Sequence, residues 1–395
     1  MAHGPSRVLH CLESDDVGRS RKVVEDLGVK VRRDGDAWIV EGRGIEAFRK
    51  PAHPLDMGNS GTTTRLLMGI LAGCSFETQL FGDESLSKRP MRRVTEPLQK
   101  MGARFSGEAG PDKLPLTVHG AKLKGVRHTP SVPSAQVKSA LLLAGLSAEG
   151  LTTVVEPVPT RDHTERMLTY LGAKVERKKE EVTVQPGGKL QGREIEVPGD
   201  FSSGAFFMVA AAIVPGSIVT VERVGLNPTR TGLLEVLRRM GAQIQVSVRP
   251  GAVLEPVGDV TVRGGPLKAI SVERELIPNI IDELPILMVA ASQAEGESRL
   301  EGVGELRVKE TDRIRSMVTG LSAMGAAIRS EGDNVIVEGP RKLKGAKVDS
   351  FTDHRTAMSL AVAGLAAQGD TEVRGAEWVS ISFPGFEKEL RAIRR

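Results

Sequence analysis

Groups able to grip anions and move protons recur along this chain in short polar strings. Lys88-Arg89-Pro90, Arg161-Asp162-His163, Arg230 and Lys309-Glu310-Thr311-Asp312-Arg313 each stand ahead of an amphipathic segment, and Asp353-His354-Arg355 opens an apolar one. Guanidinium groups bind phosphate and carboxylate through paired hydrogen bonds. A helix start adds unpaired N–H groups and partial positive charge. Any one of these arginines, taken alone, reads more readily as a solvated side chain or a surface ion pair. Their recurrence at equivalent places is what points to anion binding. Acid-base candidates stand out against this cationic background. Asp282 and Glu283 open an apolar segment, where a plain helix cap is an equal reading. Glu310 lies between Lys309 and Arg313, and their separation of four would put both cations on one face of a helix already begun there; a surface charge network is the alternative.

Other chemistries lack their signatures. The chain has no Walker glycine loop with GK[ST], no HExxH and no EF-hand loop, so the expectation is a reaction on phosphorylated substrates with no metal and no cofactor. Lys and Arg number 54 against 50 Asp and Glu, and no basic run reaches five residues, which argues against general nucleic-acid binding. Tyr170, Trp38 and Trp378 are the only Tyr and Trp side chains, leaving few platforms for stacking bases. Cys11 and Cys74 have neither metal-ligand nor redox spacing. With no apolar run of membrane-spanning or signal-peptide length, a cytoplasmic protein is expected, monomeric, with no nucleic-acid or membrane partner.

The elements that must position these groups form a repeat. The tripeptide [LM]G[AV] closes an amphipathic segment five times, at Leu27-Gly28-Val29, Met101-Gly102-Ala103, Leu171-Gly172-Ala173, Met240-Gly241-Ala242 and Met324-Gly325-Ala326. Glycine there is the left-handed stop of a helix, and alternating, strand-like residues follow. Between these segments run helices apolar nearly all round, at 59–73, 133–150, 199–216, 281–296 and 353–369, a pattern that belongs inside a domain. The unit is buried helix, strand, surface helix and hairpin. FPGFEKELRAIRR reads as a sixth surface helix, against five buried ones, so the first unit is expected to lack its opening helix, leaving Val23, Val24 and Leu27 without cover. MAHGPSRVLH reads as a frayed start.

The strings MGNSGTTTR, GDESLSKRPM, PSAQVKSA, PTRDHTERM, LNPTRTG, IDELPIL, RVKETDR and TDHRTAM occur in the order seen in bacterial 5-enolpyruvylshikimate-3-phosphate synthases, and the resemblance runs from about Val8 to the C-terminus. It implies an α/β (α+β) protein, a two-domain inside-out α/β barrel of repeated βαβαββ units with the first unit incomplete, and domains at 1–197 and 198–395 that close on substrate. It also implies transfer of the enolpyruvyl group of phosphoenolpyruvate to the 5-hydroxyl of shikimate 3-phosphate. Ser134, Gln136 and Arg161, with Asp282 and Lys309, would hold shikimate 3-phosphate. Asn59, Gly61, Thr62, Arg89, Gln136, Arg313 and Arg355 would hold phosphoenolpyruvate. Asp282 resembles the proton acceptor and Glu310 the acid-base group at the methylene, with Lys309 contacting a substrate hydroxyl and His354 in support.

Two positions depart from the family pattern. Nothing resembling a PGDKSxSHR segment precedes Cys11; its nearest echo, VPGDFSSGAF, has Phe201 in the lysine position, and Ile381 stands where some members have lysine. Weak or absent turnover by this chain alone is therefore expected, with a separate opening segment in trans as one remedy. A non-catalytic remnant with a phosphate-binding surface is the rival of another class. The related UDP-N-acetylglucosamine enolpyruvyl transferase is disfavoured, because its reactive cysteine has no counterpart in GDESLSKRPM.

Overall fold

The computed structural model describes residues 1–393. The chain divides into two compact units, Met1–Val197 and a second from Pro198 onward, and each is built around its own apolar core.

Unit 1 consists of three four-stranded sheets. The second repeat runs from a short strand Leu55–Asp56 through the helix Gly61–Leu71, the strand Glu77–Phe81 and the helix Arg92–Lys100 to the hairpin strands Arg104–Ser106 and Leu116–His119. Leu55–Asp56 pairs parallel to Glu77–Phe81, which pairs antiparallel to Leu116–His119. The third repeat copies this order with Arg127–His128, Ala135–Gly145, Thr152–Val155, His163–Tyr170, Val175–Lys178 and Glu181–Val184. The first takes its parallel strand from the far end of the unit, where Glu194–Glu196 lies beside His3–Leu9. Its α-helix is Asp15–Asp26, and a short 3-10 turn follows at Ile45–Ala47.

Local chemistry accounts for these boundaries. Ser60 and Ser134 cap the two apolar helices through Thr63 N and Val137 N, satisfying donors that a helix start leaves open. Gly28, Gly102 and Gly172 all take left-handed φ values, 93°, 109° and 100°, where each surface helix stops. The helices Gly61–Leu71 and Ala135–Gly145 pack so closely that a Cβ at Gly69 would collide with the Ala140 carbonyl.

Unit 2 repeats the plan. Its helices Phe201–Ile213 and Leu284–Ser292 are buried along almost their whole surface, as helices apolar all round must be. His354–Leu365 is the third buried helix, capped by Asp353, whose carboxylate accepts from Arg355 N and Thr356 N. Surface helices Gly232–Arg239 and Arg313–Ala323 end at Gly241 and Gly325, again left-handed at 95° and 89°. The sheets are Ile218–Gly225, Val257–Arg263 and Gln243–Arg249; a larger one centred on Ala294–Leu300 and Asn334–Gly339; and the pair Lys347–Asp349 and Glu372–Arg374. The last surface helix is Phe386–Ala392, held to Phe201–Ile213 by edge contacts of Phe386 with Phe206 and Phe207; Arg394 and Arg395 of that string lie outside the described residues.

Three sequence expectations are corrected. The N-terminal stretch is no frayed start: His3–Leu9 sits inside a sheet, with His3 to Val8 paired to Arg43 to Trp38. Val23 and Leu27 are covered, at 1% and 0% exposure, because the core that receives them is built from the second repeat, through residues such as Leu55 and Met57. Asp282 and Glu283 do not cap the following helix, which begins at Leu284 with no side-chain cap bond from Glu283. Among the described residues, no helix is long and apolar enough to cross a membrane.

Candidate active site

In unit 1 the start of the Gly61–Leu71 helix gathers most of the expected phosphoenolpyruvate residues. Arg89, only 6% exposed, follows the short helix Glu84–Lys88 and turns back onto Asn59. It donates to the Asn59 side-chain oxygen at 2.5 Å and the Asn59 carbonyl at 3.4 Å, and to Ser85 Oγ at 3.3 Å. Asn59 is itself oriented by donating to Asp83 Oδ2 at 2.7 Å. Gln136, one residue into its helix, donates to Thr62 Oγ1 at 2.9 Å. A Cβ at Gly61 would stand 3.1 Å from Arg65 Nη1 and 3.2 Å from Arg89 Nη1, so the helix start is close to both guanidiniums only because a side chain is absent there.

Arg65 is the residue that sequence reasoning passed over. It donates to Gln136 Oε1 at 2.7 Å and to the Pro90 carbonyl at 3.2 Å, joining the elements that carry Gly61, Arg89 and Gln136. Its spacing of four from Gly61 in a helical string was the available signal. Ser134 caps the Gln136 helix, its Oγ accepting from Val137 N at 3.4 Å. Arg161 stands in the turn between Thr160 and the His163–Tyr170 helix, which a Ser139–Thr164 hydroxyl pair at 2.6 Å ties to the Gln136 helix.

In unit 2 a single buried guanidinium organises the site. Arg313 is 1% exposed. Its Nε donates to Asp353 Oδ2 at 2.8 Å and its Nη2 to Glu310 Oε2 at 2.5 Å, while Nη1 lies 3.6 Å from Asp282 Oδ1. Burial alone would lower its pKa, yet Asp353, Glu310 and Asp282 outweigh that and raise it further, so the cation is fixed. Arg355 closes the group, with Nε 3.9 Å from Asp282 Oδ1 and Nη1 donating to the Asp282 carbonyl at 3.2 Å. Asp282, Glu310, Arg313 and Arg355 are thus brought together, and Asp353 serves at once as helix cap and as partner of Arg313.

Lys309 departs from expectation. It is an extended residue, φ −82° and ψ −154°, closing the 3-10 turn Gly304–Val308, and the helix begins only at Arg313 behind the Asp312 cap. The two cations share no helical face, because Asp312 starts the helix too late to include Lys309. His354 is 5% exposed, and burial pushes its pKa down to about 4, Asp353 opposing that shift. Its Nδ1 is buried with no hydrogen-bond partner among the described residues. The ring is neutral at pH 7. Arg230 donates to Ser202 Oγ at 2.8 Å and also holds Asp200, whose carboxyl stays below its ordinary range because Arg230, Arg355 and the Ser203 bonds outweigh the cost of desolvation. Ile381, in the position where some members of the resembled family have lysine, is buried.

Among the described residues, no group of three His, Cys, Asp or Glu side chains is placed to hold a metal ion. Cys74 is buried, and burial pushes its thiol up to about 11; it has none of the thiolate character a nucleophile needs.

Two carboxylates set around one buried guanidinium can divide proton removal and proton delivery, while further guanidiniums and helix starts hold anions. Comparison with known proteins agrees with that chemistry. The family model described as EPSP synthase (3-phosphoshikimate 1-carboxyvinyltransferase) matches residues 1–390. A 3-phosphoshikimate 1-carboxyvinyltransferase of Geobacillus kaustophilus is 47% identical over 395 residues, covering 100% of this chain and 92% of that protein. One of Halorhodospira halophila is 50% identical over 396 residues, covering 100% and 89%. The structure of EPSP synthase from Acinetobacter baumannii superposes with a TM-score of 0.86 at 43% identity, over 100% of this chain and 91% of that one. The enolpyruvyl transferase NikO from Streptomyces tendae, with a TM-score of 0.79 at 18% identity over 99% and 89%, shares the fold. On this evidence the chain has the expected two-domain α/β fold of repeated units and belongs to the EPSP synthase (3-phosphoshikimate 1-carboxyvinyltransferase) family of transferases.

Proposed function

We propose that this chain transfers the enolpyruvyl group of phosphoenolpyruvate to the 5-hydroxyl of shikimate 3-phosphate and releases phosphate, a step of aromatic biosynthesis through the shikimate pathway. The observation that carries the assignment of roles is Arg313, buried and contacted by Asp282 and Glu310 together. Asp282 takes the proton of the attacking hydroxyl as the hydroxyl oxygen bonds to the phosphate-bearing carbon of phosphoenolpyruvate. Glu310 delivers a proton to the methylene carbon, which becomes a methyl group. In the second half the methyl group returns a proton, the carbon–carbon double bond re-forms and the bond to the phosphate oxygen breaks. Lys309 contacts a substrate hydroxyl, and His354, neutral and buried, supports the site.

Unit 1 contributes Ser134, Gln136 and Arg161 to shikimate 3-phosphate, and Asn59, Gly61, Thr62, Arg89 and Gln136 to phosphoenolpyruvate. Arg313 and Arg355 are the phosphoenolpyruvate cations of unit 2. Support for this division comes from the hydrogen bonds that hold Arg89 on Asn59 and Gln136 on Thr62. Glycine at 61, where a side chain would crowd Arg65 and Arg89, supports a phosphoenolpyruvate site that also admits glyphosate, the inhibitor that occupies that position in the resembled family. Two free cysteines, Cys11 and Cys74, suit a reducing cytoplasm.

Phosphate release measured with both substrates tests the assignment. Turnover that needs both, with or without a synthetic PGDKSxSHR-type peptide, is the expected result. No turnover under either condition, with correctly folded protein, rejects it; the peptide arm also tests the expected dependence on an opening segment.

A further inference from the structure

One charged cluster in unit 1 is left unused by this chemistry. Lys138, one turn into the helix that Ser134 caps, is 0% exposed. Its ammonium donates to Glu156 Oε2 at 2.9 Å and to the Thr160 carbonyl at 3.3 Å, and pairs with Glu165 Oε1 at 2.7 Å. An ammonium has three donors, and each has a partner here. Thr160 is gripped twice, since its hydroxyl donates to the other oxygen of Glu156. Arg177 completes the set, reaching Glu165 at 3.4 Å and Glu156 at 3.5 Å, so two cations face two carboxylates.

Burial at this depth is costly for every member unless all are paired. Desolvation pushes the Glu165 carboxyl above its ordinary range against the pull of Lys138, and its second oxygen is buried with no hydrogen-bond partner among the described residues. Such a cluster adds little net stability over an apolar core of the same shape. What it does provide is geometry. The residue fixed by Lys138 through its own carbonyl is Thr160, the immediate neighbour of Arg161, and the helix carrying Lys138 is the one that carries Gln136 and is capped by Ser134.

We propose that Lys138 is a positioning residue for shikimate 3-phosphate recognition, clamping the Thr160–Arg161 turn to the helix of Ser134 and Gln136 so that Arg161 is held in place before the substrate arrives. This rests on the function proposed above. Preorganisation of this kind acts on affinity, because without it the substrate must order the turn itself.

Dissociation constants for shikimate 3-phosphate, read by titration calorimetry on the full chain, test the idea. K138M is expected to weaken binding by about tenfold or more, and T160V, which keeps every charge and removes only the hydroxyl bond to Glu156, by about threefold. The decisive arm is a double-mutant cycle with R161A. If the clamp acts through Arg161, T160V has no further effect on the dissociation constant in the R161A background. Equal, independent losses in both backgrounds, or unchanged affinity in folded K138M and T160V, overturn the proposal. Failure of K138M to fold leaves the T160V cycle to decide. Absence of any shikimate 3-phosphate binding by the parent chain, with or without the added peptide, rejects the underlying function and this inference with it, a result distinct from the others.

Discussion

Unit 1 and unit 2 are built from the same repeat, yet Arg65 and Arg89 in one and Arg313 in the other are held differently. Around Gly61 in unit 1, Gln136 and the Pro90 carbonyl accept from Arg65, and Asn59 and Ser85 accept from Arg89. Unit 2 presents three carboxylates to Arg313. Amide, carbonyl and hydroxyl oxygens orient a guanidinium through its N–H groups. Carboxylate partners hold it by charge and, under the function proposed above, serve in proton transfer. Under the function proposed above, a repeat with one backbone plan supports anion recognition in both units and adds acid-base work only in unit 2, through the side chains at helix starts.

The comparison is most directly strained by the carboxylates. Glu310→Gln and Asp282→Asn are expected to lower kcat by about 10²–10⁴-fold with small changes in KM, the range for loss of a general acid or base; steady-state kinetics with both substrates check this. Arg89→Ala is expected to act mainly on KM for phosphoenolpyruvate, raising it about 10- to 150-fold, since a hydrogen bond to a charged group contributes about 1.5–3 kcal/mol. A kcat loss matching that of Glu310→Gln would erase the distinction.

His354 offers a test of how dry unit 2 is. Its pKa is about 4 in the folded protein, against about 6.5 in an unfolded chain. Between those values the unfolded state binds the proton and the folded state does not, so stability falls as pH drops from about 6.5 towards 4. The loss at pH 4.5 is about 2.5 kcal/mol relative to pH 7, and His354→Asn should remove it; urea unfolding of both proteins at the two pH values measures the difference. The smallest effect is expected at Gly61→Ala. Its new methyl group meets guanidinium ends at 3.1 and 3.2 Å, which can yield by a few tenths of an ångström. A rise of a few-fold in KM for phosphoenolpyruvate is expected, with a larger rise in the glyphosate concentration needed for half inhibition.

Much of this architecture is visible in local strings. Gly28, Gly102, Gly172, Gly241 and Gly325 mark helix ends because a left-handed residue is a local requirement, and the apolar helices announce their burial by composition. What was missed depends on partners distant in sequence. Arg65 meets Gln136 across 71 residues and Arg313 meets Asp353 across 40, separations that no spacing rule reaches. The strand His3–Leu9 was hidden for the same reason, because its neighbours are Ala37–Arg43 and Glu194–Glu196. Lys309 and Arg313 were misread because the Asp312 cap moved the helix start by a few residues, the least legible feature of any helix.

The central claim is that proton transfer at the methylene carbon belongs to unit 2 and not to the anion-holding groups of unit 1. Deuterium uptake from heavy water into that carbon of phosphoenolpyruvate, in the presence of saturating shikimate 3-phosphate, measures this step directly. Glu310→Gln should cut the uptake at least about 100-fold, whereas Gln136→Ala at saturating substrate should stay within about tenfold of the parent chain. Equal loss in the two variants, or undiminished uptake in Glu310→Gln, contradicts the account.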